Sequence, residues 1–254
     1  MINAADGTII TIVMGVASDG VYAVAYKFPL IFSGLFSFFA MSWTESASVH
    51  IDSPDRDKFF SQTMNASVRL FGSLGIGIIA FVPLIFGFLV APEFDEAYMY
   101  IPILIVGAFF NSIVGLYSAI YIAKKMTKQV MNTSLIAAGV SIGFTLIFIN
   151  FIGIYAAAFA MAIAFLSMAI FRHYDMKKYV TIAYDARIFA LLALIFAFVI
   201  ALYYLNNPII NMLNGALAIV FALVFNRSVV STLKNKLLST RRGLTPSQEV
   251  AEDI

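Results

Sequence analysis

Long apolar stretches alternate with short polar gaps along the whole chain. Seven of these stretches approach the ~20 residues that a helix needs to cross a bilayer. Helices are expected, because a helix satisfies its backbone hydrogen bonds within the segment. A shorter piece, Thr8–Ala17, is either the end of a span whose start is missing from this chain or a re-entrant segment. The seven longer stretches are Val21–Trp43, Leu70–Val90, Ile101–Ala123, Thr133–Ile149, Ile154–Phe171, Ile188–Leu205 and Ile209–Phe225.

The composition supports this interpretation. Of the 254 residues, 61% are hydrophobic and 12% are charged, whereas soluble domains carry about 25% charged residues. Cysteine is absent, and the two histidines, His50 and His173, lie in different polar gaps. The spans contain no carboxylate pair, no Ser/His/Asp set and no phosphate-binding glycine loop. We therefore predict an all-α, polytopic transmembrane helix bundle that is not an enzyme and needs no metal, cofactor or nucleic acid.

The basic residues fall in alternate gaps and predict the orientation of the chain. Of the sixteen Lys and Arg residues, fifteen lie in four gaps, and the gaps between them contain none. Because basic residues favour the cytoplasmic side, the seven spans alternate without contradiction and the C-terminus is predicted to be cytoplasmic. The fifteen are Arg56, Lys58, Arg69, Lys124, Lys125, Lys128, Arg172, Lys177, Lys178, Arg187, Arg227, Lys234, Lys236, Arg241 and Arg242.

The sixteenth basic residue, Lys27, lies inside an apolar span. A Lys deep in a span costs roughly 3 kcal/mol on insertion scales. Lys27 follows Asp19-Gly20 by seven residues, about 10 Å along a helix, so its ammonium could reach the outer interface. Alternatively it faces a water-filled cavity and attracts a diphosphate, or it pairs with Asp6.

Small residues and prolines predict how the helices pack. Small side chains let helix backbones approach closely in lipid. Pro29, eight residues into its span, is the best candidate for a kink, and Ser53-Pro54 predicts the start of a helix leading into the Leu70 span. Basic residues beside helically spaced apolar residues over Val229–Leu238 indicate either a helix on the inner leaflet or a solubilising tail. The small residues are Gly72, Gly75, Gly77, Ala156, Ala160 and Ala164.

Two motifs resemble those of a known family. Asn3–Pro29 reads NAADGTIITIVMGVASDGVYAVAYKFP, which resembles a stretch of the bacterial Wzx-like polysaccharide flippases, members of the MATE/MOP exporter superfamily. In that family an Asp near the end of one span precedes a "lG…vGiYsvAyKiP" pattern, and Ile152–Ala158 (IGIYAAA) is similar to its "yGiyGAAiAt". Gly7 departs from the family, which often has a basic residue there. The matching positions are Gly15, Gly20, Val21, Tyr22, Ala25, Tyr26, Lys27, Pro29, Trp43, Lys124 and Lys125.

The resemblance implies a fold made of half a transporter. Residues 1–174 would be the second six-helix bundle with its first helix truncated, 175–226 two additional C-terminal helices, and 227–254 a cytoplasmic tail. The first bundle would be a missing partner. The expected location is the bacterial cytoplasmic membrane, where the chain would move a polyprenyl-diphosphate glycan between leaflets.

Other side chains have a functional and a structural interpretation. Arg69, at the cytoplasmic mouth of its span, could receive the diphosphate first or anchor the helix at the interface. Asn111 could bind sugar hydroxyls or join two helices. Tyr26 could stack on a sugar or belong to the aromatic belt.

The sequence leaves other functions open. A cation-coupled exporter of small compounds from the same superfamily is one alternative, although none of the seven spans contains Asp or Glu. A membrane-embedded glycan polymerase or ligase is another, although its large external loop is absent. An inactive remnant is a further possibility. The sugar, the coupling ion and the oligomeric state cannot be read from these patterns.

Overall fold

The computed structural model describes residues 2–227 and Ser231, with side chains from Ala5 onward. Within that part the chain is helical and has no strand, which confirms the predicted all-α class. Seven helical segments are long and apolar enough to cross a membrane, so the chain is a multi-pass membrane protein. The helices are α1 Ile2–Met14, α2 Val16–His50, α3 Arg56–Leu89, α4 Ile101–Ala123, α5 Thr127–Ile152, α6 Tyr155–Met176, α7 Ala186–Tyr204 and α8 Pro208–Phe225, with a 3-10 helix over Pro92–Tyr100 before α4.

The predicted spans all lie within observed helices or within one residue of them. The bounds of α4 match the prediction, whereas α2 and α3 continue well beyond the apolar stretch, to 35 and 34 residues. The predicted cap at Ser53-Pro54 was wrong, because α3 begins at Arg56 after Asp55. Helix α2 runs without interruption through Pro29. The predicted amphipathic segment Val229–Leu238 lies outside the described residues.

The short N-terminal piece folds back on α2. Gly15 has φ of +93°, a conformation that glycine adopts without strain, and it separates α1 from α2. A Cβ atom at Gly7 would lie 2.9 Å from Oδ1 of Asp19. Residues twelve positions apart on one straight helix would be about 18 Å apart. Helices α1 and α2 therefore form a tight hairpin.

The centre of the bundle is α4, which packs against α2 and α6. A Cβ atom at Gly107 would lie 3.3 Å from the backbone nitrogen of Ala162, so these two helices approach closely. The predicted small-residue seam on α6 is confirmed, since Ala156, Ala160 and Ala164 are fully buried.

Helices α7 and α8 pack against α3 and against each other. A Cβ atom at Gly72 would lie 2.7 Å from a methyl group of Leu192, and one at Gly75 would lie 3.1 Å from the ring of Phe196. These two glycines are packing positions, as predicted, whereas Gly77 faces no atom within 4 Å.

The polar gaps lie at two opposite ends of the bundle, and side chains connect the gaps that share an end. At the end that we call the basic end, Ser61 and Asn65 hydrogen-bond the 177–185 linker, and Tyr117 bonds His173. At the opposite, acidic end, the Tyr98 hydroxyl donates to the Tyr203 carbonyl, and the Tyr203 hydroxyl donates to the Tyr98 carbonyl. The alternate gaps of the sequence therefore correspond to opposite ends of the molecule.

Candidate functional site

Lys27 lies on the face of α2 that no other described helix covers. Its side chain is exposed, while Ala25 and Phe28, on other faces of the same turn, are buried. Exposed residues continue from Lys27 toward the basic end at helical spacing, and we call this surface the α2 stripe. It comprises Lys27, Leu30, Ile31, Gly34, Leu35, Phe38 and Met41. An ammonium group therefore occupies an otherwise apolar surface within a membrane span.

The proposed pairing of Lys27 with Asp6 was wrong. Asp6 is fully buried and Lys27 is exposed. The ion pairs found among the described residues are Arg56–Asp57 and Lys178–Asp175, and neither involves Lys27 or Asp6.

The other predicted site residues occupy three different helices. Tyr26 is half-buried beside Lys27, and its ring stacks on Tyr22 with centroids 6.0 Å apart. Arg69 on α3 and Asn111 on α4 are half-buried. No hydrogen bond or ion pair described for residues 5–227 joins Lys27, Arg69 or Asn111 to one another. That these residues form one site therefore stays a prediction.

A buried polar pocket lies between α1, α2 and α5 and was not predicted from the sequence. Asp6 accepts a hydrogen bond at 3.1 Å from the hydroxyl of Thr145, and its second oxygen, Oδ2, has no partner among the described side chains. The hydroxyls of Tyr22 and Ser141 are also buried, and within the described part of the chain they have no hydrogen-bond partner. Ser141 precedes Thr145 by one helical turn, so both hydroxyls lie on the same face of α5.

The residue after Asp6 explains how a second carboxylate comes close. Gly7 has no side chain, and Oδ1 of Asp19 lies 2.9 Å from the position that a Cβ atom would take. Here the space is occupied by a second acid, so the α1–α2 hairpin has two carboxylates and no ion pair among the described side chains.

A second residue whose role was not predicted is Arg172, which the sequence assigned to a basic gap as a signal of orientation. Its guanidinium is fully buried. It donates to Thr133 on α5 at 2.7 Å, to the Val114 carbonyl on α4 at 3.0 Å, and to the Ser118 hydroxyl. All of these acceptors are neutral, so Arg172 joins three helices and leaves no donor directed at a ligand.

A tyrosine–histidine chain lies next to this group at the basic end. Tyr184 donates to the Tyr117 hydroxyl at 2.8 Å, and that hydroxyl is 2.9 Å from Nδ1 of His173. Burial raises the pKa of the Tyr184 phenol, so it remains a hydrogen-bond donor at neutral pH. These hydrogen bonds connect the 177–185 linker to α4 through Tyr117 and to α6 through His173.

Comparison with known proteins adds no identity. No family model, no curated protein and no solved structure matches this chain. The features of this chain that bear on function are therefore the α2 stripe with Lys27 and the buried Asp6 pocket.

Proposed function

We propose that this chain is part of a flippase that moves a polyprenyl-diphosphate-linked glycan across the bacterial cytoplasmic membrane. The observation that carries the proposal is the exposed position of Lys27 on the α2 stripe. An ammonium facing lipid at this depth would cost roughly 3 kcal/mol. A water-filled cavity shared with another membrane domain removes that cost and provides a place for an anionic headgroup.

The chemistry of Lys27 suits a diphosphate that must be bound and then released. An ammonium group is a compact point charge with three donors and lacks the bidentate geometry of a guanidinium. The exposed surface around it offers Leu30, Ile31 and Phe38, apolar side chains suited to a polyprenyl chain. Tyr26 would contribute a ring for a sugar to stack on.

Arg69 and Asn111 would contact the substrate at other points along the transport path. Arg69 precedes the apolar part of α3 by one residue, on the basic side, where an entering headgroup would meet it first. Lys27 lies toward the acidic end and would meet the headgroup late in transport. Asn111, in the middle of α4, would bond sugar hydroxyls.

The surface that covers the α2 stripe would be the first bundle of the transporter. Alternating access requires two bundles or repeats that rock against each other around a site. In this arrangement the basic end, with the C-terminus, faces the cytoplasm, as the distribution of Lys and Arg favours.

The test replaces Lys27 in the native gene of the producing cell. Lys27→Ala should reduce the surface polysaccharide at least tenfold without changing the amount of the protein in the membrane, whereas Lys27→Arg should retain part of it. Lys128→Ala, an exposed lysine at the start of α5, is the matched control. Wild-type export from a Lys27→Ala strain would refute the proposal.

A second candidate is a cation-coupled exporter of small organic compounds, and the buried Asp6 favours it. Accumulation assays separate the two functions. Loss of glycan export without any change in the efflux of small organic cations supports the flippase, and the opposite result supports the exporter.

A further inference from the structure

We propose that one corner of the basic end, formed by the α4–α5 turn and the end of α6, binds the headgroup of an anionic phospholipid. We call this surface the lysine corner, and it comprises Lys124, Lys125, Lys177 and Lys178. The group that it recognises is the phosphodiester of a lipid in the adjoining leaflet. Lipid binding at this corner does not depend on which substrate the protein transports, so it can hold even where the flippase proposal fails.

The lysine corner unites two gaps that are far apart along the chain. Two of its lysines follow the end of α4, and the other two follow the end of α6. Tyr121, in the last turn of α4, donates from its hydroxyl to Oδ2 of Asp175 on α6 at 2.7 Å. The guanidinium carbon of Arg172 lies 5.6 Å from the centre of the same ring. These contacts bring the ends of α4 and α6 to the same level and place both pairs of lysines together.

The charge of this corner differs from that of another connection at the same end. The corner has one acid, Asp175, whose Oδ1 pairs with Lys178 at 2.9 Å. Neither ion pair found among the described residues involves Lys124, Lys125 or Lys177. The α2–α3 connection, residues 45–58, instead contains four acids and two basic residues. The basic residues are therefore concentrated where they attract an anionic headgroup most strongly.

The backbone of Lys125 gives independent support. Its N–H bonds the Ile122 carbonyl at 2.8 Å, and the N–H of Met126 bonds the Tyr121 carbonyl at 2.8 Å. This pair of bonds is a common helix ending in which glycine usually takes the left-handed position, because it has no Cβ atom. Lys125 holds that position with φ of +60°. A lysine that persists here despite the strain is typical of a functional position.

The apolar surface beside the lysines favours a lipid over a free phosphate. Ile122 on α4 and Phe171 and Tyr174 on α6 are exposed, and they precede the lysines on the membrane side. The ammonium of Lys177 lies 4.9 Å from the centre of the Tyr174 ring. A phospholipid can place its phosphate at the lysines and its acyl chains along these side chains, whereas a free phosphate uses only the charges.

Native mass spectrometry of the full chain in neutral detergent tests the proposal with phosphatidylglycerol and phosphatidylcholine as probes. The wild type should bind phosphatidylglycerol at least about tenfold more tightly. Lys125→Gln/Lys177→Gln should lose most of this preference. Arg56→Gln/Lys58→Gln removes the same charge from the α2–α3 connection and should keep the preference within about twofold. Equal losses in the two double variants, or no preference in the wild type, would overturn the proposal.

Two single variants separate lipid binding from folding. Lys125→Gly should raise the temperature of thermal unfolding, because glycine relieves the positive φ, and yet weaken the binding of phosphatidylglycerol. Asp175→Asn keeps an acceptor for Tyr121 but releases Lys178, so binding should become tighter. Unchanged affinity in either variant would contradict the assignment.

Competition identifies the source of the phosphate. Inorganic phosphate at the concentration of the lipid should leave phosphatidylglycerol bound, and displacement would assign the corner to free phosphate. Farnesyl diphosphate should bind no more tightly than phosphatidylglycerol. Tighter binding that Lys125→Gln/Lys177→Gln abolishes would assign the corner to the transported substrate and overturn the lipid site.

Discussion

The Nη2 atom of Arg172 donates to the Thr133 hydroxyl at 2.7 Å, and both side chains are buried. The same hydroxyl also accepts from Nε of Arg172 at 3.1 Å. Thr133 therefore receives two hydrogen bonds from one charged group and joins α6 to α5 near the basic end. Because the other donors of Arg172 go to α4 and to Val130 and Ser134 on α5, the relative position of three helices depends on this side chain.

Thr133→Val should lower the free energy of unfolding by about 1–3 kcal/mol, the range for losing a hydrogen bond to a buried charged group. Valine keeps the shape of threonine but cannot accept the two N–H groups. Thr127→Val, on the exposed first turn of the same helix, is the control and should change stability by less than about 0.5 kcal/mol. Equilibrium unfolding in mixed detergent measures both, and equal stabilities would show that the two bonds from Arg172 to the Thr133 hydroxyl do not stabilise the fold.

Arg172 also shows where the sequence was insufficient. Its position after an apolar run and before Lys177 and Lys178 correctly assigned it to the basic end. Its burial depends on Ser118 and Thr133, which lie 54 and 39 residues away along the chain. Sequence periodicity predicted the helices because each apolar run is local, but it could not pair polar residues on different helices.

The Asp6 pocket was missed for the same reason. Asp6 lies near the start of the chain, and its hydrogen-bond partner Thr145 is 139 residues away. For Lys27 the sequence left an interfacial ammonium, a cavity-facing ammonium and a pair with Asp6 open; the structure removes the pair with Asp6, and the choice between the other two stays a prediction.

Gly72→Ala should destabilise the packing of α7 and α8 on α3 by about 1–3 kcal/mol, the usual cost of overpacking. The added Cβ atom would lie 2.7 Å and 2.8 Å from the two methyl groups of Leu192, which must then move. Gly77→Ala is the matched control, because no atom lies within 4 Å of its Cβ position. Alanine there should stabilise α3 by up to about 1 kcal/mol through helix propensity.

The double variant Gly72→Ala/Leu192→Ala distinguishes a steric cause from a backbone cause. If the methyl groups of Leu192 are the obstacle, truncating them should make the Gly72→Ala change close to neutral within the Leu192→Ala background. A double-mutant cycle from thermal unfolding measures this coupling. Additive effects would mean that Gly72 is needed for some reason other than its contact with α7.

Tyr203→Phe should loosen the acidic end. Tyr203 and Tyr98 stack with ring centroids 4.2 Å apart, and each hydroxyl donates to the backbone carbonyl of the other residue. The phenylalanine keeps the ring but leaves the Tyr98 carbonyl without its 2.7 Å partner, at a cost of about 1 kcal/mol. Hydrogen exchange should become faster in the 92–100 segment and at the α7–α8 turn, while the basic end stays unchanged. Tyr174→Phe, an exposed tyrosine, should not affect exchange at the acidic end.

Asn65→Ala should release the 177–185 linker from α3. The Asn65 amide donates to the Ala183 carbonyl at 2.8 Å, and its oxygen accepts from the Asp185 backbone nitrogen at 3.1 Å. Losing both bonds, at about 1 kcal/mol each, should raise the open population of the linker by roughly tenfold or more. Trypsin should then cleave after Lys177 and Lys178 faster in proportion, as followed by mass spectrometry of the protein in nanodiscs. Asn132→Ala, an exposed residue on α5, provides the control rate. Equal cleavage rates in the two variants would mean that the Ser61 and Tyr184 hydrogen bonds hold the linker without Asn65.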